Sequence, residues 1–424
     1  MPLLPVSDRA IKLSLAKSTR AFRYRNYRLF FTGQSITLIG NWMQQLALGW
    51  LLLRLGGSAT YLGLMAMFTQ VPTIFLGPIA GVVADRYEKR SILRLIQVAA
   101  AAHAFILAIL TLTDLINLPL LFLLALVMGC INAFEMTTRQ SFVVEMVDDR
   151  RDLPNAIALN SIMFNSARAI GPAIGGQFVR FFGEGFCFLI NAIGYSASNI
   201  ALKAMILPKL VRVDGPKRAI LREFMEGFRY IKSSPALARS LLMLTAVSLF
   251  GSQQMVLLPI LAKYHLGGGS DLLGNLMMSF GVGAIITAVS IAFKSRIVGM
   301  EKLIWLGAFV TGLSQILIVQ HSSILWAYCL NALTGYGVIS AIVATNTVIQ
   351  MLADPVMRGR AVSFYSLCLM GFAPIGGYLS GILIDFAGIP FTLELLGGLC
   401  CLSAIAYRFF AAPIIRESLK NSAR

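Results

Sequence analysis

Long apolar runs broken by short charged turns constrain this chain more than any other feature. The sharpest break is Gly77 to Arg90, GPIAGVVADRYEKR. An apolar run rich in small residues ends there in Asp85, Arg86, Glu88, Lys89 and Arg90, and another begins at Ser91. Two helices in lipid, joined by a turn on a charged membrane face, read this way. Gly77 and Gly81 are four residues apart, so one helix face is bare enough for close approach by a neighbour. Asp85 is the single acid before the turn and is placed to meet the positive end of another helix.

Composition supports an integral membrane protein. Of 424 residues 57% are hydrophobic and 13% are charged, against about 25% charged in soluble domains. Residues 1–28 are basic but do not read as a cleaved signal peptide. The six cysteines lie in apolar runs without metal-ligand or disulfide spacing, so no metal is expected. No P-loop, HExxH or Gly-x-Ser-x-Gly pattern is present. The chain therefore reads as no enzyme, with no cofactor and no ATP hydrolysis of its own.

Taken in order, residues 1–26 form a basic arm suited to anionic lipid. Residues 27–206 hold six apolar runs. The first carries Gln34, Asn41 and Gln45 on one helical stripe. Polar groups at membrane depth must face protein or a wet cavity. The fourth run ends near Glu135 and Arg139, spaced to pair. The fifth holds Asn165 and Arg168. Arg168 lies thirteen residues beyond Asn155, about 20 Å along a helix and close to mid-membrane. Residues 207–238 form a basic linker in which Leu221, Phe224, Phe228 and Ile231 mark an amphipathic interfacial helix. Residues 239–411 hold six more runs, with Gln253, Gln254, Asn331 and Glu394 as weaker polar candidates. Residues 412–424 are a basic tail.

The two halves are related. Leu55–Gly63 (LGGSATYLG) resembles Leu266–Gly274 (LGGGSDLLG), and Pro172 and Pro374 fall in matching fifth helices. Both termini are expected inside. Of the 36 Lys and Arg, Arg54, Arg180 and Lys263 then fall outside and Arg168 falls within the membrane; the rest lie on the inner face. The net charge of +17 is thereby explained without nucleic acid.

Gly81-x-x-x-Asp85-Arg86-x-x-Lys89-Arg90 resembles the loop 2–3 signature of the major facilitator superfamily, with Glu88 where a glycine is usual. Gly171-Pro172-Ala173-Ile174-Gly175-Gly176 resembles the helix 5 motif of its antiporter branches, with Ala158 and Ala167 in place of upstream glycines. Ala373-Pro374-Ile375-Gly376-Gly377 echoes it in the second half. Phe22–Phe30, Asn132–Gln140 and Asn165–Pro172 look like a bacterial efflux branch that includes macrolide and siderophore exporters, with lysophospholipid transporters nearby. The usual helix 4 arginine is Ala125 here, which leaves Arg139 and Arg168 as basic partners.

The resemblance implies an all-α major facilitator fold: twelve transmembrane helices in two six-helix bundles, in a bacterial inner membrane. It implies a monomeric secondary exporter of amphipathic organic solutes, of drug or siderophore class, by proton antiport. Gln34, Asn41, Gln45, Asn165 and Arg168 would line the cavity's first half; Gln253, Gln254, Asn331 and Glu394 its second. Glu135, Arg168 and Arg139 would handle charge. Gating would fall to Gly77, Gly81, Asp85, Arg86, Lys89, Arg90, Gly171, Pro172, Gly175, Gly176, Pro374, Gly376 and Gly377. In the family the loop acid holds one state closed toward the cytoplasm, so Asp85 is expected at the start of helix 11, near Gly359. A lipid transporter or flippase, and a non-transporting membrane receptor, are the alternatives.

Overall fold

The computed structural model describes residues 20–146, 149–206, 220–292 and 299–422, and every regular element among them is helical. The first 19 residues, most of the basic linker and the turn at Lys294–Arg296 lie outside the described residues. The first half contains α1 (Arg25–Arg54), α2 (Ala59–Arg86), α3 (Lys89–Leu112), α4 (Leu118–Phe142), α5 (Leu153–Phe182) and α6 (Glu184–Lys203). The linker helix is α7 (Ile220–Ser233). The second half contains α8 (Pro235–Ala246), α9 (Gln254–Ile260), α10 (Ser270–Ala292), α11 (Met300–Ile318), α12 (Ile324–Leu352), α13 (Arg358–Phe410) and α14 (Ala412–Ser422).

In lipid each backbone polar group must find a partner within the chain, and continuous helices provide that. Ten helical segments among the described residues are long and apolar enough to cross a membrane. The segment Pro235–His265 counts as one, because π-helical turns at Val247–Gly251 and Leu261–His265 join α8 and α9 into a broken rod. Helix α5 is not among the ten; Asn155, Asn160, Asn165 and Arg168 interrupt its apolar run. Helix α13 has 53 residues, about 80 Å at 1.5 Å per residue. Its geometry breaks at Gly388, where φ is 82°, a value glycine adopts without steric cost. Two arms result, one on either side of that residue.

Two seams join the halves: α2 packs along α13, and α5 along α10. Small residues make both possible. A Cβ at Gly63 would stand 2.6 Å from Tyr378 Cα, and one at Gly274 would stand 2.4 Å from the Pro172 carbonyl oxygen. The related segments 55–63 and 266–274 thus do the same job, each meeting the proline–glycine helix of the opposite half.

Burial is asymmetric along the rod. At the end that holds Asp385, one core runs through both halves, with Leu51 and Leu62 packed in the same cluster as Leu257, Leu273 and Leu330. At the end that holds Asp85 the cores are separate. Tyr27, Phe30, Phe142 and Met163 belong to the first half alone, and Met300, Ile304, Val348 and Ile415 to the second. Large apolar side chains such as Leu95, Ile200, Leu242 and Phe386 are exposed around the outside, as a lipid-facing belt requires.

Linker helix α7 does not lie free. Phe224 stacks on Phe364 of α13 at 4.8 Å between ring centroids, and Glu226 pairs with Arg360 at 2.9 Å.

Gly63→Leu is expected to destabilise the seam by about 1–3 kcal/mol through overpacking against backbone. Gly77→Ala, at a site with nothing within 4 Å of an added Cβ, is expected to be neutral or slightly stabilising. Thermal midpoints in detergent check the contrast; equal midpoints for the two variants would show that the seam at Gly63 is not closely packed.

Candidate functional site

The Asp385 end is closed by polar ties as well as by the shared core. The Asp385 carboxylate accepts from Ala59 N (3.1 Å) and Thr60 N (2.9 Å), the first backbone donors of α2. These are orphan N–H groups at a helix N-terminus, where an anion also meets the helix dipole favourably. Arg180 pairs with Asp271 at 2.7 Å across the α5–α10 seam. Lys263 Nζ donates to the Leu53 carbonyl at 3.0 Å.

Behind this closure lies a cleft of about 180 Å³ between the halves. Its polar lining comes from Asn41, Gln44 and Gln45 on α1, Thr69 and Gln70 on α2, Asn132 on α4 and Gln254 on α9. Methionines and leucines, among them Met65, Met128, Met255, Met277 and Leu273, supply the apolar wall. Asn41 Oδ1 and Gln254 Oε1 are buried without a hydrogen-bond partner. Buried polar atoms are normally satisfied, so these two cleft-lining residues have unused hydrogen-bonding capacity. A pliable apolar wall with a few amide groups suits solutes that are partly apolar and partly polar.

Glu135 sits to one side, in the interior of the first half, at 5% exposure. Arg139 Nε is 3.9 Å from its carboxylate, a charge pair without a hydrogen bond. The fully buried Tyr195 on α6 lies near enough to feel the Glu135 charge, and its hydroxyl faces Asn41 and Asn191 without a hydrogen bond of ordinary geometry. Asn191 donates to Gln44 Oε1 at 2.8 Å. A polar path therefore runs from the cleft-lining Gln44 to the neighbourhood of Glu135. Sequence reasoning missed Gln44, Asn191 and Tyr195 as site residues. Asn132 had a signal, being one helical turn before Glu135; Tyr195 had none, since an aromatic in an apolar run reads as core.

Arg168 lies fifteen residues from the start of α5 and fourteen from its end. Its guanidinium carbon is 5.3 Å from the Trp42 ring centroid and 5.1 Å from that of Phe164. It is not joined to Glu135: α4 packs on α2 and α3, whereas α5 packs on α1 and α10.

Several expected cavity residues serve the fold instead. Gln253 donates to the Ser248 and Leu249 carbonyls and satisfies the break between α8 and α9. Asn331 donates to Leu276 O at 2.6 Å and ties α12 to α10. Asn165 donates to Ser161 O on its own helix. Glu394 is exposed and accepts from Gln320 at 2.9 Å near the Asp385 end. Gln34 is buried on α1 with its Nε2 unpartnered, outside the cleft lining. Asn41, Gln45 and Gln254 are brought together in the cleft.

At the Asp85 end the charged turn divides its work. Lys89 pairs with Glu145, and Arg90 donates to the Leu202 and Lys203 carbonyls, capping the C-terminus of α6. These contacts lash the first half to itself. Asp85 and Arg86 are exposed, and Asp85 has no partner among the described residues. The expected close crossing at Gly77 and Gly81 is not made: a Cβ at Gly77 would meet nothing within 4 Å, and one at Gly81 only Thr137 Cγ2 at 3.9 Å. Gly359, where α13 begins, is equally bare. A cavity of about 670 Å³ separates α2 and α4 from α13 here, lined by Thr73, Gly77, Thr137, Arg360 and Phe364 among others. Close approach at Gly171, Gly175, Gly176, Gly376 and Gly377 is made as expected, against α1, α10 and the α8–α9 break.

A multi-span helical protein whose halves meet over a polar cleft, closed at one end and parted at the other, has the build of a solute transporter. Its sequence matches the family model described as "Transmembrane secretion effector" over residues 16–424. The chain belongs to this family of major facilitator transporters, and is a secondary transporter of the efflux and siderophore-transporter type rather than an enzyme. It is 25% identical over 386 residues to the staphyloferrin A transporter of Staphylococcus aureus (strain NCTC 8325 / PS 47), covering 90% of this chain and 95% of that protein. It is 26% identical over 366 residues to the multidrug efflux pump Tap of Mycolicibacterium fortuitum, covering 83% and 88%. The fold is also that of a bacterial homologue of the human lysosomal transporter Spinster, solved in an inward-facing, unoccupied conformation (TM-score 0.63, 15% identity, 94% and 95% covered).

Asp385→Ala removes the acceptor for two α2 donors. Loss of such a cap costs about 0.5–2 kcal/mol, so the closed arrangement of this end is expected to lose about 2- to 30-fold in population. Spin-label distances between positions 61 and 386 would report it as a longer, broader distribution. An unchanged distribution would mean that the carboxylate does not hold this end shut.

Proposed function

We propose that the protein crosses the bacterial inner membrane twelve times, in two bundles at residues 27–206 and 239–411. Its termini and the Asp85 end are cytoplasmic. The two arms of α13 on either side of Gly388, together with α5, bring the ten apolar segments to twelve crossings. It works as a monomer and exports amphipathic organic solutes of drug or siderophore class by proton antiport. The observation that carries this reading is the asymmetry of the core: shared at one end, divided at the other, with the cleft between. Two halves joined this way can rock about the cleft and present it to either side in turn. The names of the relatives support the solute class, and the basic arm and linker suit an anionic lipid face.

In this arrangement the cleft is reached from the cytoplasm. Asp85, unpartnered here, would dock on the bare start of α13 at Gly359 when the cytoplasmic end closes, as an anion at a helix N-terminus. Glu135 couples the proton. It is buried, loosely paired with Arg139, and linked to the cleft through Tyr195, Asn191 and Gln44. Protonation would cancel one charge of that pair and shift the balance between states. Arg168 is the second charge of the first half, held apart from Glu135. A flippase reading has its own support in the lateral cavity between α2 and α13.

Proteoliposomes test the reading. Drugs, siderophores or lysolipids that are substrates are expected to drive proton flux against their own movement. Glu135→Gln is expected to abolish pH-driven uptake into inverted vesicles and to flatten the pH dependence of substrate binding. Identical midpoints and slopes for wild type and variant would remove Glu135 as the coupling acid. Asp85→Asn is expected to slow turnover while leaving substrate affinity within about threefold. Lysolipid movement without proton flux would favour the flippase.

A further inference from the structure

We propose that Arg168 is an oxyanion-binding residue, and that the solutes this protein selects carry a carboxylate or phosphate group on an apolar or aromatic body. The inference rests on the transporter reading and narrows its substrate class.

Four observations carry it. First, no carboxylate lies within ion-pairing distance of Arg168 among the described residues, although it stands midway along a membrane-length helix. An unpaired cation at such depth is costly. Second, its nearest recorded contacts are aromatic rings, which offer the guanidinium no hydrogen-bond acceptor of ordinary strength. Trp42 and Phe164 approach within 5.3 and 5.1 Å, and the two rings are edge to face at 6.1 Å. Cation–π contacts leave the N–H donors of the guanidinium unbonded, and a pair of them matches a carboxylate or phosphate in two parallel bonds. Third, Nε is buried without a partner, whereas the terminal nitrogens are not among the sealed, unsatisfied atoms and have no hydrogen bond. The donor edge therefore reaches open space.

Fourth, that space lies on the side of α5 turned between α1 and α10 and not on its lipid face, although Arg168 does not itself line the 180 Å³ cleft. The outward face of α5 is marked by Ile170, Ile174 and Phe181, exposed by 47, 39 and 70%. Arg168 is two residues before Ile170, about 200° around the helix. Ala169 and Gly171 on either side of that direction pack against α10 and α1. Ser161 and Ile157, seven and eleven residues earlier on the Arg168 face, are exposed toward the parted Asp85 end. They form a track along which a solute entering from that end reaches the guanidinium. Trp42 follows Asn41, so the solute's body would come to lie along the amide-lined cleft while its charge is held.

The test compares three probes of one shape: naphthylacetate, naphthyl phosphate and the uncharged naphthylacetamide. Binding to the purified full-length protein is measured by calorimetry at neutral pH, for wild type, Arg168→Gln and Arg168→Lys, with thermal midpoints as the folding control. Wild type is expected to prefer at least one anion over the amide by about 10- to 100-fold, the range of a charge-assisted paired hydrogen bond. Which anion is preferred assigns carboxylate or phosphate chemistry. Arg168→Gln is expected to lose the preference, and Arg168→Lys to keep a reduced one. The proposal is overturned if wild type shows no preference for either anion, or if a folded Arg168→Gln keeps it. The same probes in proteoliposomes separate the two readings. Preference in binding without flux of any solute would overturn transport and leave the anion site standing. Flux of solutes without any anion preference would do the reverse.

Discussion

The structure depends on close backbone contact at two seams, α2 on α13 and α5 on α10. Inside lipid, apolar side chains gain nothing by leaving hydrocarbon for a neighbouring helix, so association rests on packing and polar ties. Gly63 against Gly377 and Tyr378, and Gly274 against Pro172 and Gly176, supply the packing. Asp385 on the first turn of α2, and Arg180 with Asp271, supply the ties. All of them lie toward one end, and from this the division of the molecule into a shared core and two separate ones follows.

That placement gives the opposite end freedom to part. The charged turn is engaged there, but inwardly. Lys89 and Arg90 hold the turn after α4 and the end of α6, and so tie the first half to itself. Asp85 and Arg86 are left exposed, with no partner among the described residues. A motif that reads as a single signature thus separates into bracing residues and an unengaged acid–base pair of neighbours. The linker helix, tied to α13 through Arg360 and Phe364, gives the second half a comparable brace.

The polar interior follows the same economy. Several buried amides serve the fold: Gln253 at the α8–α9 break, Asn331 between α12 and α10, and Asn191 on Gln44 through its donor. Buried atoms without a partner occur in several places, Gln34 Nε2, Gln97 Oε1 and Gln315 Oε1 among them; Asn41 and Gln254 are the two such residues that line the cleft. Glu135 and Arg168 stand on helices with different neighbours, α2 and α3 for the one and α1 and α10 for the other, so the two charges are not paired.

Sequence alone determined the helical membrane class, the related halves, the proline–glycine crossings and the polarity of α5. Each follows from local composition or spacing, and lipid permits few other outcomes. The stripe Gln34, Asn41, Gln45 was legible as polar, and two of its three members line the cleft; Gln34 does not, because a stripe on a helix says nothing about which neighbour covers each turn. Gln253, Asn331 and Glu394 read as cavity residues for the same reason and proved to be helix-break, interhelix and end contacts. Tyr195 was invisible because only the packing of α6 against α1 and α3 brings its hydroxyl toward Asn41 and the Glu135 charge. Which end of the rod is shut was likewise a tertiary matter. Glycines occur at both ends of α2, and those at Gly77 and Gly81 are bare while Gly63 is tightly covered. A small residue permits close approach in either state, and only the relative placement of the two halves decides where it is made.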